Sequence, residues 1–314
     1  MEKIPVVAVA GPTATGKTRL AVGLALRFGG EVVSADSMQI YRGLTIGTAR
    51  PTQEEMQGVP HHLIGFQDPA QPFSVADYVC LASKSIGEIH SRGKLPVVAG
   101  GTGLYIRSLL SGLHFSPQGG DSALREKLNR RAEQEGPQAL WDELNEFDPE
   151  SAERIHPNNV GRVVRAIEVY RATGVTMTEQ MRRSREVPSP YDAVFIGLAY
   201  RDRAKLYEAI DSRVDSMMNR GLLKEAQAVF SMKHPGTAGQ AIGYKEFYPY
   251  FRGECSLDEA VGQVKRESRR YAKRQLTWFR REESIQWFYV DEFENFEALL
   301  VCACEMIERK GWTL

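Results

Sequence analysis

The stretch Gly11-Pro12-Thr13-Ala14-Thr15-Gly16-Lys17-Thr18 holds the most chemistry in this chain. Its pattern, G-x-x-x-x-G-K-T, places backbone N–H groups, an ammonium and a hydroxyl within reach of one phosphate chain. An apolar, β-branched run from Ile4 to Ala10 precedes it, and Leu20, Leu24 and Phe28 follow at helical spacing. Strand, loop and helix are the setting a phosphate-binding loop needs. The glycines let N–H groups turn inward, and a helix starting near Gly16 adds its positive end. Lys17 would neutralise phosphate oxygens, and the Thr18 hydroxyl would help hold Mg²⁺. A polyphosphate or diphosphate ligand is expected.

Two further groups stand where open α/β sheets place ligands, just past the carboxyl ends of strands. Glu31 to Ala35 reads as a short buried strand ending at Asp36-Ser37-Met38-Gln39, which offers a carboxylate one strand after the loop. Leu95 to Ala99 reads as another strand, ending in Gly100-Gly101-Thr102-Gly103. Glycines there permit close backbone approach, and Thr102 supplies a hydroxyl. His61 and His62 are adjacent, so on a strand they point to opposite faces and cannot share a metal; a structural role is expected. Cys80, Cys255, Cys302 and Cys304 form no C-x-x-C pair and lack zinc spacing, which suits a reduced, cytosolic chain.

The elements that must carry these groups alternate. Strands at 4–10, 31–35, 63–66 and 95–99, with helices at about 17–28, 73–92 and 104–110, indicate a parallel α/β sheet. Tyr41 to Pro51 reads as an irregular loop between them. Ser116 to Asp121 is linker-like, and from Ser122 to about Arg185 the pattern is helical and arginine-rich, with Arg154, Arg162, Arg165, Arg171, Arg182, Arg183 and Arg185. Tyr191 to Tyr200 returns to a strand, Arg203 to Phe230 reads as one long helix, Ile285 to Val290 as a last strand, and Phe296 to Lys310 as a closing helix. The expected fold is a P-loop NTPase-like parallel sheet flanked by helices, with an all-helical insertion. The boundaries expected are 1–117 and 189–314 for the α/β core and 118–188 for the insertion.

Composition excludes little. In 314 residues, 42% hydrophobic and 25% charged content is ordinary for a globular protein with room for a real core. Lys plus Arg equals Asp plus Glu at 40 each, so only the distribution of charge can point to an anionic partner. No apolar run approaches the roughly 18 residues of a membrane span, and no membrane partner is expected.

The charge is unevenly spread. From Lys265 to Arg281 the chain reads K-R-E-S-R-R-Y-A-K-R-Q-L-T-W-F-R-R. Lys265, Arg269 and Lys273 recur every four residues, as do Arg266, Arg270 and Arg274. Basic residues with interleaved aromatics on one helix suit a phosphate-backbone partner, whereas a solvated face usually mixes its signs.

Taken together, these stretches resemble one family, the tRNA dimethylallyltransferases. The resemblance rests on G-P-T-A-T-G-K-T (11–18), S-A-D-S-M-Q-I-Y-R-G-L-T-I-G-T-A-R-P (34–51), V-P-H-H-L (59–63) and A-G-G-T-G-L-Y (99–105). It continues through H-P-N-N (156–159) with R-V-V-R-A-I-E-V-Y (162–170), then A-I-G-Y-K-E (241–246) and Y-A-K-R-Q-L-T-W-F (271–279). These span nearly the whole chain in order. Departures are mild: Thr15 for a usual Ser, Arg50 for Lys, Asn159 for Asp and Ser268 for Thr.

The resemblance implies transfer of a dimethylallyl group from dimethylallyl diphosphate to N6 of adenosine 37, beside the tRNA anticodon. The loop Gly11 to Thr18 would hold the diphosphate. Lys17, Mg²⁺ on Thr18, and Arg220 would stabilise the charge that grows as the C1–O bond breaks. Asp36 would accept the N6 proton, Thr102 would line the channel, and Ser37, Met38 and Gln39 would contact the adenine. Asn159, Val160, Gly161, Arg162 and Val163, together with Arg269, Arg270, Lys273, Arg274 and Gln275, would meet the anticodon stem-loop. A monomeric, cytoplasmic enzyme is expected. Two rivals share the loop: an ATP-dependent phosphotransferase of the nucleotide-kinase type and a non-catalytic RNA-binding ATPase. A small-substrate kinase has no need of the basic helix.

Overall fold

The structure, a computed structural model, describes residues 3–112 and 122–312, Ser122 and Arg185 by backbone alone. The linker-like stretch 116–121 lies outside them. One compact unit comprises the chain up to Leu110 and from Pro190 onward; a second runs from Ser111 to Ser189.

Six strands build the first unit: β1 (Ile4–Ala10), β2 (Glu31–Ser34), β3 (His61–His62), β4 (Pro96–Gly100), β5 (Tyr191–Ala199) and β6 (Gln286–Tyr289). They form one parallel sheet in the order β3-β2-β4-β1-β5-β6. Covered on both faces, β1 reads as a continuous apolar run instead of an alternating one, and Val6 to Ala10 are fully buried. β3 comes earlier than the strand expected at 63–66, because Leu63 (φ 60°) and Gly65 (φ 58°) leave the extended region.

The helices follow in chain order: α1 (Lys17–Arg27), α2 (Gln53–Met56), α3 (Val75–Ser91) and α4 (Gly103–Leu110) belong to the first unit, and α5 (Ser122–Glu135), α6 (Pro137–Phe147), α7 (Pro149–Arg154), α8 (Val160–Thr173) and α9 (Met177–Glu186) to the second. The first unit resumes with α10 (Arg203–Asn219), α11 (Leu222–Phe230), α12 (Tyr248–Phe251), α13 (Leu257–Phe279) and α14 (Phe296–Glu308). One face of the sheet packs on α3 and α4 through Tyr78, Ile86, Ile89 and Ile106, the other on α1 and α14 through Leu20, Leu24, Leu299 and Ile307. Leu20 and Leu24 are fully buried, which stabilises α1 by about 2 kcal/mol each. The single helix expected over 203–230 is two, because Gly221 (φ 99°) breaks the pattern after Arg220. No described helix is long and apolar enough to cross a membrane.

In the described residues of the second unit the regular elements are all helices. Leu128, Leu140, Leu144, Val163, Val164 and Ile167 form its core. Asp148 is buried there: it accepts hydrogen bonds from the Ser151 and Thr178 hydroxyls (2.7 and 2.6 Å) and ties the start of α9 to the start of α7.

Candidate active site

The strand register brings the predicted groups to one edge. Ala10 lies opposite Gly100 on one side and Gly197 on the other, and Ser34 lies opposite Ala99. Continued by one or two residues, that register sets Gly11, Asp36 and Gly101 at one level, just past the strand ends. The contacts there are too close for side chains. A Cβ on Gly11 would lie 2.3 Å from the Leu198 carbonyl oxygen at φ 146°, and one on Gly100 would lie 2.2 Å from that of Ala35.

The loop itself has the expected form. Gly16 (φ 81°) stands before α1, which begins at Lys17. Lys17 Nζ donates back to the Pro12 carbonyl at 2.6 Å, as does the Thr15 hydroxyl at 2.9 Å. Burial, then the charge of Arg213, lowers the Lys17 ammonium to about pKa 7, although Asp36 partly opposes this. A half-buried cation that meets no carboxylate among the described residues is set to receive an anion.

Asp36, two residues past the end of β2, makes a turn of its own. Its Oδ1 accepts the N–H groups of Met38 (2.9 Å) and Gln39 (3.3 Å), while Oδ2 has no partner among the described residues. Thr102 lies across from it. Thr102 N–H donates to the Ala35 carbonyl (3.1 Å), and Thr102 Oγ1 accepts the Ser37 N–H (3.0 Å). Asp36, Ser37 and Thr102 are thus brought together as expected from their places after β2 and β4. The half-buried Tyr271 phenol lies beside them, and burial and then the Asp36 charge push its pKa up.

Gln39 differs from the expectation. Its side-chain amide donates to the carbonyls of Thr48 (3.3 Å) and Ala49 (3.2 Å), and its Oε1 accepts the Ser34 hydroxyl (3.3 Å). Both amide hydrogens are used within the protein, so Gln39 supports the site from behind.

Arginine placement also differs. Arg220 is exposed at the end of α10, without an ion pair among the described residues. Arg213, two turns earlier on α10, is the arginine whose charge acts on Lys17 and Asp36. Burial lowers its own pKa, Asp36 and Glu55 act against that, and the charge of Arg220 lowers it further. It also has no ion pair among the described residues. The two arginines are seven residues apart and so share a helix face. That spacing was the only sequence signal for Arg213.

The basic residues of α13 are partly neutralised. Lys265 pairs with Asp215 (2.6 Å), Arg269 with Asp211 (2.6 Å), both acids on α10, and Arg270 with Glu267 (2.6 Å). Lys273 and Arg274 are exposed and meet no carboxylate among the described residues; Arg274 lies over the Tyr271 ring. Gln275, expected against RNA, is 6% exposed and turned inward: it accepts the Thr13 N–H (3.0 Å) and donates to the Gly101 carbonyl (2.9 Å). A helix face that must pack on the sheet edge cannot also meet RNA.

In the second unit, Asn159, Gly161 and Arg162 are exposed at the start of α8 and Val160 is half-buried. Val163 is fully buried in the core, a correction to its expected RNA contact. Arg154, Arg165, Arg171, Arg182 and Arg183 pair with carboxylates, while Arg162 meets none among the described residues. The Arg185 side chain lies outside the described atoms.

Fold and site together define a P-loop α/β protein with a carboxylate beside its phosphate loop. A family model described as IPP transferase matches residues 39–282, and one described as isopentenyl transferase matches residues 4–64. The tRNA dimethylallyltransferase of Caldanaerobacter subterraneus subsp. tengcongensis is 49% identical over 299 residues, covering 94% of this chain and 95% of that protein. That of Bacillus pumilus is 50% identical over 287 residues, covering 91% and 90%. The crystal structure of the full-length tRNA isopentenylpyrophosphate transferase from Bacillus halodurans aligns with TM-score 0.72 at 44% identity, over 98% of each chain. A eukaryotic dimethylallyltransferase caught acting on tRNA aligns with TM-score 0.80 at 30% identity, over 91% of this chain and 73% of that one. The chain belongs to the tRNA dimethylallyltransferase family of prenyltransferases. The kinase reading is not favoured.

Proposed function

We propose that this enzyme transfers the dimethylallyl group of dimethylallyl diphosphate to N6 of adenosine 37 in tRNA and releases diphosphate. One observation carries the assignment of roles: among the described residues, Asp36 Oδ2 has no hydrogen-bond partner and stands beside a phosphate loop whose lysine has no carboxylate partner.

In the transfer, the C1–O bond to diphosphate breaks as the bond from N6 to C1 forms, and the N6 proton passes to Asp36 Oδ2. Lys17 and Arg213 receive the charge left on diphosphate; we give this role to Arg213 and not to the exposed Arg220. Ligand binding turns Lys17 away from the Pro12 carbonyl and keeps it protonated. Thr102 fixes the Asp36–Ser37 turn through the Ser37 N–H, and the adenine is bounded by Ser37 and Met38.

The donor set suits Mg²⁺ in one way only. Among the described residues no group of three or more His, Cys, Asp or Glu could hold a metal. A hard cation there would take the Thr18 hydroxyl, water and oxygens of the diphosphate itself, which is how Mg²⁺ binds beside phosphates. Bound so, it would supply further charge neutralisation to the leaving diphosphate.

An adenine in a loop must leave its stack to reach the site, at a cost of about a few kcal/mol. Contacts of the exposed cations Lys273, Arg274 and Arg162 with the anticodon stem-loop offset that cost. We take the enzyme to be monomeric and cytoplasmic.

The test is a transfer assay with labelled dimethylallyl diphosphate, Mg²⁺ and unmodified tRNA carrying A36-A37-A38, beside the same tRNA with A37 changed to G. Label on the first alone is expected. Labelling of both, or ATP consumption in place of labelling, would overturn the reading. Asp36→Asn should bind diphosphate and tRNA as before while turnover falls by about 10²-fold or more.

A further inference from the structure

One carboxylate outside the site collects more hydrogen bonds than any role assigned so far requires. Glu225 lies on α11, half-buried, and faces the loop that follows Leu44. Its Oε2 accepts the Thr45 N–H (2.9 Å) and hydroxyl (2.8 Å), and its Oε1 accepts the Ile46 N–H (2.9 Å), the Gly47 N–H (2.8 Å) and the Tyr244 hydroxyl (2.8 Å). Three successive backbone N–H groups converging on one anion fix the loop's path. Burial alone would raise the Glu225 carboxyl; the bonds from Gly47, Ile46, Thr45 and Tyr244 overcome it and hold the pKa below the usual range. Side-chain packing agrees, since a Cβ on Gly47 would lie 2.6 Å from the Tyr244 ring.

The loop so fixed does not end in solvent. Its next two carbonyls, Thr48 and Ala49, take both amide hydrogens of Gln39. Gln39 in turn donates its backbone N–H to Asp36 Oδ1 and receives the Ser34 hydroxyl at its own Oε1. The relay from Glu225 to Asp36 has only two links, the loop and Gln39.

We propose that Glu225 is a positioning residue for the transfer step: by clamping residues 45–47 it holds Gln39, and through Gln39 the orientation of the Asp36 carboxylate toward the attacking amine. This deepens the functional reading above and rests on it. Positional errors of about 1 Å at such a group are felt mainly in turnover.

The test is a double-mutant cycle of Glu225→Gln with Gln39→Ala, read as kcat and as KM for each substrate. Each single change should lower kcat about tenfold with the KM for dimethylallyl diphosphate unmoved, and the double variant should be no worse than the poorer single, because both cut one relay. Amides of Thr45, Ile46 and Gly47 should exchange hydrogen faster in Glu225→Gln, a readout that needs no turnover. Tyr244→Phe, which removes one donor of the five, carries the same cycle if Glu225→Gln does not fold. Losses that multiply, unchanged kcat, or a loss confined to the KM for the diphosphate would overturn the proposal. A wild-type protein that transfers no dimethylallyl group would instead overturn the functional reading, whatever the variants do.

Discussion

Gln275 Oε1 accepts the backbone N–H of Thr13 at 3.0 Å, joining α13 to the phosphate loop across 262 residues of sequence. The other end of the amide donates to Gly101, so one side chain spans both glycine clusters. A Cβ on Gly101 would lie 2.2 Å from Gln275 Nε2. The loop is therefore held open by a residue far from it in the chain.

Replacing Gln275 with Leu leaves one N–H and one carbonyl without partners. Stability should fall by about 1–3 kcal/mol, measured by urea unfolding. The KM for dimethylallyl diphosphate should rise at least about threefold as the loop loosens. An unchanged KM would show that the loop holds its shape unaided.

Arg213 and Arg220 should separate cleanly. Arg213→Ala removes a cation facing the site and should lower kcat/KM by about 10²-fold. Arg220→Ala, at an exposed helix end, should stay within about threefold of wild type. Steady-state kinetics on the two variants decides between them, and equal losses would restore Arg220 to the site.

Lys17 makes diphosphate binding depend on pH. Its folded-state pKa of about 7 lies below the usual 10.5, with burial and then Arg213 as causes. In the free enzyme the ammonium deprotonates as pH rises through 7, whereas bound diphosphate favours the charged form. Binding should thus take up about one proton at pH 8, seen as a buffer-dependent heat in calorimetry. Lys17→Met should remove that uptake. The same shift sets the sign for folding: between pH 7 and 10.5 the unfolded chain holds more protons at this site, so ligand-free stability rises with pH there.

The two halves of the basic helix should behave differently toward RNA. Neutralising Lys273 and Arg274 removes two exposed cations that meet no carboxylate among the described residues and should flatten the salt dependence of tRNA binding by about 1.5 in log–log slope. Neutralising Lys265 and Arg269 exposes Asp215 and Asp211 instead and should chiefly lower stability, because those cations already have partners. Filter binding over a range of salt, beside thermal unfolding, reads both.

What could be read from the sequence was local. The phosphate loop and Asp36 each sit next to an apolar strand, and Thr102 sits next to its glycines, so a few residues of context are enough to place them. Gln275, Arg213 and Glu225 act on groups 174 or more residues away. Nothing beside them in the chain marks them out. Gln275 in particular reads as outward with its basic neighbours, whereas helical geometry turns it inward with Ala272 and Phe279. The strand at His61–His62 is hidden in the sequence for a different reason: a two-residue strand is too short to show a period, and the apolar Leu63 and Ile64 point past the positive φ that ends it.

The sheet order has a consequence for how the enzyme is made. β1 leaves the ribosome first, yet it hydrogen-bonds to β4, about 90 residues later, and to β5, about 190 residues later. Until Ala199 has been synthesised, one edge of this wholly apolar strand stays unpaired, a template for wrong pairing. Even then the phosphate loop lacks its brace, because Gln275 emerges later still. Translation therefore delivers the substrate pocket nearly complete in sequence and unfinished in structure, and a nascent chain cut short of α13 has every residue of the loop without the shape that binds.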